Sequence, residues 1–272
     1  MTALAALCCL AAGCVDGGEI DVDVAPQSTT TSCPLDAPGV YSPYAGDDDY
    51  PSGTVGDLPW RGASSGYPDG VEDFRGYSSL PVTVECAADK DRRSHLDVTA
   101  GCLEAVAVSD GRYQRGRVHT TSDGYFRALA LGHDDGDLPP VKWTDQAIEY
   151  RFFHRGRTGS EGNPGFKAFA RYRSEDDLYV ASWRFDGVVE IQRKRCGDYT
   201  TLAIRRDLAP PSADTWHWIR FDAVGDRLTL RLDGRVVLTA SSGTFSWGTG
   251  GIRIDAADGT YLDDWSVSDP GS

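Results

Sequence analysis

The sequence predicts an all-β fold, a two-sheet antiparallel jelly-roll sandwich. Twelve short segments alternate apolar and polar residues, and no helical stretch separates them. The composition agrees, because 31 Gly, 14 Pro, 7 Trp and 12 Tyr occur beside a single Met. Aromatic residues suit pleated surfaces, whereas Gly and Pro suit tight connections. With 272 residues, 40% of them apolar, the chain can bury one sizeable core.

The predicted strands are separated by turn residues, including an Asp-Gly pair at 186–187 and another at 233–234. They span residues 80–87, 125–132, 147–154, 166–173, 178–185, 188–194, 199–206, 216–223, 226–233, 235–241, 250–256 and 262–268.

The first residues, "MTALAALCCLAAGC", form an apolar run that is too short to cross a bilayer as a helix and is typical of an export signal. The run resembles a bacterial lipoprotein signal, with "LAAGC" as its lipobox. This resemblance implies lipidation of Cys14, export, and anchoring at the cell envelope, in the outer membrane or at the cell surface. An ordinary signal peptide is the alternative.

These features predict the organisation of the whole chain. Residues 1–13 are the signal, and residues 14–40 are an acidic, Ser/Thr-rich flexible tether. Residues 41–272 are a single β-sandwich domain with long N-terminal loops, and we expect it to be a monomer. In those loops, Asp47–Asp49 could ligate a structural calcium ion, but a solvated acidic loop is favoured, because no defined ligand spacing follows them. No other cofactor or metal is predicted.

Four cysteines remain if the signal is removed and Cys14 is acylated, which permits up to two disulfides and three connectivities in an exported protein. Cys86 and Cys102 are close enough in sequence to suggest a local bridge. A metal site is disfavoured, because neither a Cys-x-x-Cys nor a paired His accompanies them. The four are Cys33, Cys86, Cys102 and Cys196.

The stretch "LYVASWRFDGVVEIQRK", residues 178–194, reads as a hairpin. A two-residue turn at Asp186-Gly187 would pair Trp183 with Glu190 and Tyr179 with Lys194. The aliphatic face would then be buried, because burying the polar face would leave costly polar groups to satisfy. The face predicted to be exposed carries Tyr179, Trp183, Glu190, Gln192 and Lys194.

The neighbouring segments extend this face. If "RCGD" is a tight connection that pairs Lys194 with Tyr199, then Thr201 and Arg205 share the face of Lys194. In "FKAFARYR" the outward positions are predicted to be Lys167, Phe169, Arg171 and Arg173.

Charge is distributed unevenly along the chain. Residues 151–206 contain twelve basic and seven acidic residues, a net charge of +5, whereas the whole chain carries −14. A basic stripe on an acidic protein predicts an anionic partner at that stripe. Nucleic acid is not expected as the partner, since the rest of the surface would repel a long polyanion. The alternative is that these charges are solvated strand ends paired with neighbouring acids.

Two C-terminal stretches, "TWHWIRFDAVGDRLTLRLDGRVV" and "GTGGIRIDAADGTYLDDWSVS", resemble the closing strands of concanavalin A-like lectin and glucanase domains. Together with "FKAFARYRSEDDLYVASWRFDGVVEIQRK", the resemblance covers about residues 145–268. It implies a jelly-roll sandwich. The superfamily includes lectins, laminin G-like adhesion modules, glycosidases and polysaccharide lyases, so the resemblance does not by itself choose a function.

The predicted polar face is similar to the sites of jelly-roll polysaccharide lyases, which implies β-elimination on an anionic, uronate-containing polysaccharide. Arg171 and Gln192 could neutralise the uronate carboxylate, and Tyr199 or Tyr179 could act as acid or base. Lys194 could be the base only if its neutral amine is populated. Substrate binding would fall to Lys167, Tyr179, Trp183, Glu190 and Arg205.

Two alternatives stay open. A non-catalytic carbohydrate-binding or adhesion lipoprotein would use the same face without chemistry. A glycoside hydrolase is disfavoured, because it needs two carboxyl groups and only Glu190 is evident on this face.

Overall fold

The computed structural model describes residues 71–72, 82–88, 96–107, 114–130, 143–160, 162–268 and 270. Several predicted features lie outside these residues: the signal, the lipidation site Cys14, the tether, Cys33 and the Asp47–Asp49 cluster. Within the described part of the chain every regular element is a β-strand. No helix that could span a bilayer occurs there.

The described residues form sixteen strands, and all of their pairings are antiparallel. In chain order they are β1 (Val71–Glu72), β2 (Val82–Cys86), β3 (Leu96–Ala100), β4 (Cys102–Ala107), β5 (Gln114–His119), β6 (Tyr125–Ala130), β7 (Gln146–Phe153), β8 (Gly165–Ser174), β9 (Asp177–Arg184), β10 (Val189–Arg195), β11 (Asp198–Arg205), β12 (Trp216–Val224), β13 (Arg227–Leu232), β14 (Arg235–Ser241), β15 (Thr249–Asp255) and β16 (Tyr261–Ser268).

These strands form two sheets. One has nine strands in the order β14-β13-β12-β7-β16-β5-β4-β2, with β1 also paired to β16. The other has seven strands in the order β11-β10-β9-β8-β15-β6-β3. The predicted two-sheet antiparallel sandwich is therefore confirmed. The twelve predicted strands correspond to β2 and β6–β16, whereas β1 and β3–β5 were not predicted.

The missed strands β3 and β4 are separated by Gly101 alone, yet they belong to different sheets. Gly101 has a φ of +78°, and a Cβ atom there would lie 2.2 Å from the carbonyl oxygen of His119. Glycine is required by both constraints. Because the chain crosses between the sheets at a single residue, the sequence contains no cluster of turn residues there. The pattern of apolar and polar residues therefore did not reveal two separate strands.

The main hydrophobic core lies between the two sheets. Phe152 of β7 stacks on Phe166 of β8 with ring centroids 3.8 Å apart, and the edge of Trp183 meets Phe152 at 6.0 Å. Both phenylalanines are fully buried, and Trp183 is 6% exposed. Burying each such side chain stabilises the fold by about 2–3 kcal/mol, so aromatic contacts across the sandwich hold the sheets together.

The expected local disulfide is present. Cys86 and Cys102 lie opposite each other on β2 and β4 and are bonded. They close a loop of 16 residues in sequence, and a loop of this length restricts the unfolded chain enough to stabilise the fold by about 3 kcal/mol. Cys196 is disulfide-bonded as well.

Gly101→Ala tests the crossing between the sheets. We expect it to lower the free energy of unfolding by about 2–4 kcal/mol, because the added Cβ would meet the backbone and the φ is left-handed. Urea unfolding followed by tryptophan fluorescence measures this. Gly162→Ala is the matched control, since a Cβ there would have nothing within 4 Å. Equal stability of the two variants would show that the chain can cross between the sheets without glycine.

Candidate functional site

The hairpin between β9 and β10 turns differently from the prediction. The amide of Gly187 donates to the carbonyl of Arg184 at 3.1 Å, and the amide of Arg184 donates to the carbonyl of Val188 at 3.0 Å. Gly187 has a φ of +81°. The loop therefore contains three residues, a type I turn followed by a left-handed glycine, and the predicted two-residue turn is wrong.

The longer loop slides β9 by one residue against β10. Trp183 now pairs with Val189, and Ser182 pairs with Glu190. A one-residue slip moves every side chain of a strand to the other face. Tyr179 and Trp183 consequently point into the core and are 0% and 6% exposed. Their predicted place on the exposed, substrate-binding face is wrong.

The polar groups of these two aromatic residues are satisfied inside the protein. The Tyr179 hydroxyl donates to the carbonyl of Ser242 at 2.9 Å and accepts from the amide of Phe245 at 3.0 Å. The Trp183 indole N–H donates to the carbonyl of Ala209 at 3.2 Å. Both rings therefore anchor loops that pack against the sandwich.

Arg171 also lies on the other side from its predicted position. It adopts a left-handed φ of +49° at an irregularity in β8, and it is 2% exposed. Its guanidinium donates to the carbonyls of Thr144 at 2.9 Å and Phe245 at 2.7 Å. The prediction failed because this bulge reverses the alternation of β8, which brings Tyr172 instead to the outer face.

The β10–β11 hairpin is partly as predicted. Lys194 pairs with Tyr199 across a two-residue loop, Cys196-Gly197, whose φ values of +53° and +86° fit a type I′ turn. A bulge next to Gln192 then shifts the register, so Arg205 pairs with Val189. Val189 is a core residue, so Arg205 lies on the opposite face from Lys194, where it binds Asp207 at 2.6 Å. The prediction that Arg205 shares the face of Lys194 is wrong.

The outer face of the seven-stranded sheet holds a groove of about 340 Å³. Five of the predicted site residues line it: Lys167, Glu190, Gln192, Lys194 and Tyr199. The other lining residues are Arg127, Gly162, Asn163, Phe169, Tyr172, Glu175, Leu178, Val180, Arg253 and Asp255. Of the four residues predicted to be catalytic, the groove brings together three and leaves out Arg171.

Strand register arranges the outer face in rows that cross the sheet. One row is polar and passes through β6, β15, β8, β9 and β10, while the next row is largely apolar. The polar row is Arg127, Arg253, Lys167, Ser182 and Glu190. The second row is Leu129, Gly251, Phe169, Val180 and Gln192.

The apolar side chains form a cluster of their own, separate from the main core. Leu129, Phe169, Tyr172, Leu178 and Val180 pack together. The rings of Phe169 and Tyr172 are stacked, with centroids 6.0 Å apart and an angle of 24° between their planes. At the end of the groove Tyr199 is 57% exposed. The groove therefore has an apolar floor and an accessible aromatic ring at its rim.

Asp255 organises the middle of the polar row. Its carboxylate lies 2.6 Å from the amine of Lys167 and accepts a hydrogen bond from Nε of Arg253 at 2.8 Å. Asp255 is 3% exposed. Burial lowers the pKa of Lys167, and the charge of Asp255 opposes this effect. One carboxylate thus neutralises and orients two cations.

The remaining cations of the groove are paired as well. Arg127 donates to Glu175 and to the hydroxyl of Thr99, and the hydrogen bond from Arg127 lowers the pKa of Glu175. The Lys194 amine donates to the carbonyl of Glu175 at 2.7 Å and lies 3.2 Å from the carboxylate of Asp176. Its position is therefore fixed beside Tyr199, whose ring centroid is 5.2 Å away.

Glu190 lies in a drier environment. It is 5% exposed, and burial raises its pKa, an effect that nearby Arg184 opposes. Arg184 lies 3.6 Å from Glu190 and 2.6 Å from Asp186. The charged side chains of the groove thus form short chains of alternating sign.

The predicted basic stripe does not form. Arg151 lies on the nine-stranded sheet, bound to Asp264 at 3.2 Å. Arg171 is buried toward the loop at Phe245, and Arg193 donates to Thr244 at 3.1 Å. Basic residues that are close together in sequence therefore point to different parts of the molecule.

Of the ten other lining residues, only Phe169 was predicted from the sequence to lie on this face. Arg253 and Asp255 could have been found, because "GGIRIDA" places Ile252 and Ile254 on the core side and leaves the other positions outside. The same alternation in β6 points to Arg127. Tyr172 had no such signal, since its orientation depends on the bulge at Arg171.

The described residues contain no group of three or more His, Cys, Asp or Glu side chains that could hold a metal ion. No family model matches the sequence, and no curated protein matches it.

Several solved structures are similar to the chain, all at low identity. The carbohydrate-binding module CBM66 from Bacillus subtilis is 18% identical, with 64% of this chain and 95% of that chain covered and a TM-score of 0.47. A Bacillus subtilis protein of unknown function with a galectin-like fold is 12% identical, with 73% and 98% covered and a TM-score of 0.45. The Ca²⁺/Man3GlcNAc-bound exoplasmic/lumenal domain of VIP36 is 12% identical, with 66% and 89% covered and a TM-score of 0.44.

The hairpin register can be tested by stability. We expect Trp183→Ala to lower the free energy of unfolding by about 3–5 kcal/mol, because it empties a site in the core. Tyr199→Ala, on the exposed rim, should change it by no more than about 0.5 kcal/mol. Chemical denaturation of both variants measures the difference. A small effect for Trp183→Ala would instead support the two-residue turn with Trp183 outside.

The two glutamates of the groove should affect stability with opposite dependence on pH. Because the pKa of Glu190 is raised on folding, the folded state keeps the proton of this carboxyl to a higher pH than the unfolded state does. Glu190 therefore lowers the free energy of unfolding as the pH rises from about 4.3 through the raised pKa. Because the pKa of Glu175 is lowered, its stabilising contribution is present above about 4.3 and is lost as the pH falls toward the lowered value.

Urea titrations of the wild type, Glu190→Gln and Glu175→Gln across acidic and neutral pH check this. With rising pH, Glu190→Gln should gain stability relative to the wild type, and Glu175→Gln should lose it. Changes of the same sign in both variants would contradict the assigned environments.

Proposed function

We propose that the groove on the seven-stranded sheet binds carbohydrate without catalysing its cleavage. The observation that carries the proposal is an apolar floor and an exposed aromatic rim next to polar side chains held in fixed positions. A sugar ring has an apolar C–H face and an edge of hydroxyls, so it needs both kinds of surface side by side.

Tyr199 and Gln192 are the residues best placed for this role. The exposed ring of Tyr199 offers a stacking surface, and Lys194 beside it supplies a donor. Gln192 pairs with Thr201 on β11 and brings both donors and an acceptor to the same face. The volume of about 340 Å³ is at the small end of the range for ligand sites, which suits a short segment of a glycan.

A lyase is less well supported than binding. β-Elimination needs a cation for the uronate carboxylate and a base for the C5 proton. Arg171, proposed for the first role, donates to backbone carbonyls on the other side of the sheet. The amine of Lys194, proposed for the second, already donates to the backbone carbonyl of Glu175 and lies 3.2 Å from the carboxylate of Asp176.

A glycoside hydrolase gains further carboxyl groups from the structure, because Asp255 and Glu175 join Glu190 in the groove. Such an enzyme needs one carboxyl group as the acid and a second as the nucleophile or base. Asp255, however, is held by Lys167 and Arg253, and Glu175 is held by Arg127. This arrangement favours binding over hydrolysis.

The proposal includes a cellular setting that rests on the sequence alone. The protein is exported and anchored by a lipid on Cys14, with residues 14–40 as a tether. It acts as a monomer on a polysaccharide and not on nucleic acid. A structural calcium ion at Asp47–Asp49 stays a prediction.

Binding of the purified protein to a panel of neutral and acidic oligosaccharides, measured by isothermal titration calorimetry, tests the proposal. We expect Tyr199→Ala to weaken binding about tenfold, the value of one aromatic contact, and Tyr199→Phe to bind as the wild type does. Val236→Ala, at another exposed apolar position, is the control.

Two results would contradict the proposal. Absence of binding to every glycan by the folded protein is one. The other is the appearance of C4–C5 double bonds, followed by ultraviolet absorbance during incubation with uronate polymers and abolished in Tyr199→Phe, which would establish a lyase.

A further inference from the structure

We infer that the glycan bound in this groove is uncharged, an inference that rests on the proposed function. The charged side chains lining the groove belong to ion-pair networks that together contain five basic and five acidic residues. The basic residues are Arg127, Lys167, Arg184, Lys194 and Arg253. The acidic residues are Glu175, Asp176, Asp186, Glu190 and Asp255.

Each of these cations already has a carboxylate partner. The pairs are Arg127 with Glu175, Lys167 and Arg253 with Asp255, Lys194 with Asp176, and Arg184 with Asp186 and Glu190. A uronate, sulfate or phosphate group on the ligand would have to displace one of these partners or lie beside it. In both cases the anionic group of the ligand is close to a carboxylate of the groove, and the two repel each other strongly where water is partly excluded. The groove therefore disfavours an anionic ligand.

Asp255 makes this exclusion strongest at the centre. Its side chain is only 4% exposed, and it holds both Lys167 and Arg253. Lys167 itself has a side-chain exposure of 14%. An incoming anion cannot move Asp255 into water without disrupting the sheet face, because Asp255 belongs to β15 and is paired on both sides.

The chain as a whole adds repulsion at longer range. Its net charge of −14 repels a polyanion in general and does not repel a neutral glycan. The hydroxyls of a neutral glycan can donate to the carboxylates and accept from the ammonium and guanidinium groups, which are already oriented by their pairs.

Substitutions that remove one acid at a time provide the test. Glu175→Gln releases Arg127, and because the Glu175 side chain is 65% exposed the fold should tolerate the change. Asp255→Asn releases Lys167 and Arg253 at the centre. Asp207→Asn is the matched control, because it makes the same charge change in an exposed ion pair outside the groove.

Binding is measured by calorimetry against neutral gluco-, manno-, galacto-, xylo- and fructo-oligosaccharides and against oligogalacturonate, oligoalginate and oligoglucuronate of equal length. The wild type should bind a neutral ligand at least tenfold more tightly than any uronate. Its affinity should change less than about twofold between about 0.05 and 0.5 M NaCl, since no net charge is neutralised.

The two groove variants should gain affinity for uronates at least fivefold, with a new dependence on salt, while Asp207→Asn stays like the wild type. Preference of the wild type for a uronate would overturn the inference and leave carbohydrate binding intact. Failure of both folded groove variants to gain uronate affinity would also overturn it. Binding of no glycan at all by the wild type would overturn the proposed function itself.

Discussion

The groove depends on how Arg171 is held. The left-handed backbone at this residue is stabilised by Gln146, whose side-chain oxygen accepts from the Arg171 amide at 3.2 Å, while its Nε2 donates to the carbonyl of Gly248 at 3.2 Å. Gly248 must be glycine, since a Cβ there would lie 2.3 Å from the Arg171 carbonyl carbon. The guanidinium then ties the start of β7 to the loop before β15. This buried tie fixes a bulge, and the bulge decides that Lys167, Phe169 and Tyr172 lie on one face.

Alternation in the sequence was sufficient to find most strands, but it was not sufficient to assign all of their faces. Each face error has the same physical origin, one extra residue in a turn or a bulge that reverses the inward and outward positions beyond it. The β10 residues Glu190, Gln192 and Lys194 were placed correctly, because β10 itself contains no extra residue. It pairs with β9 without a shift from Val189 to Lys194, and the extra residue of the neighbouring bulge lies on β11. Tyr179 was misplaced because a three-residue loop and a two-residue loop fit the same Asp-Gly signal. The position of a bulge depends on distant partners such as Gln146, which the local pattern does not encode.

The net charge of a sequence segment and the arrangement of the same charges in the fold predict different ligands. The excess of basic residues in 151–206 predicted an anionic partner, yet strand pairing divides those residues between the two sheets and the loops. At the same time the fold brings Asp255, distant in sequence, against Lys167. The net charge of a sequence segment predicts the charge of a ligand only when the charged residues lie on one surface. In an antiparallel sandwich, neighbouring residues of a strand point to opposite faces of the sheet.

The ion pairs of the groove are better explained by binding than by stability. Placing charges in a partly dry site has a desolvation cost, and replacing such pairs with apolar residues of similar volume often leaves a protein equally stable or more so. An apolar outer face would also extend the cluster around Phe169 and Val180. The fold nevertheless keeps Arg127, Arg253, Lys167 and Glu190 in one row across five strands. Fixed donors and acceptors beside an apolar floor can orient hydroxyl groups, which an apolar face cannot do, and this is the physical reason for proposing the row as the ligand-binding part of the groove.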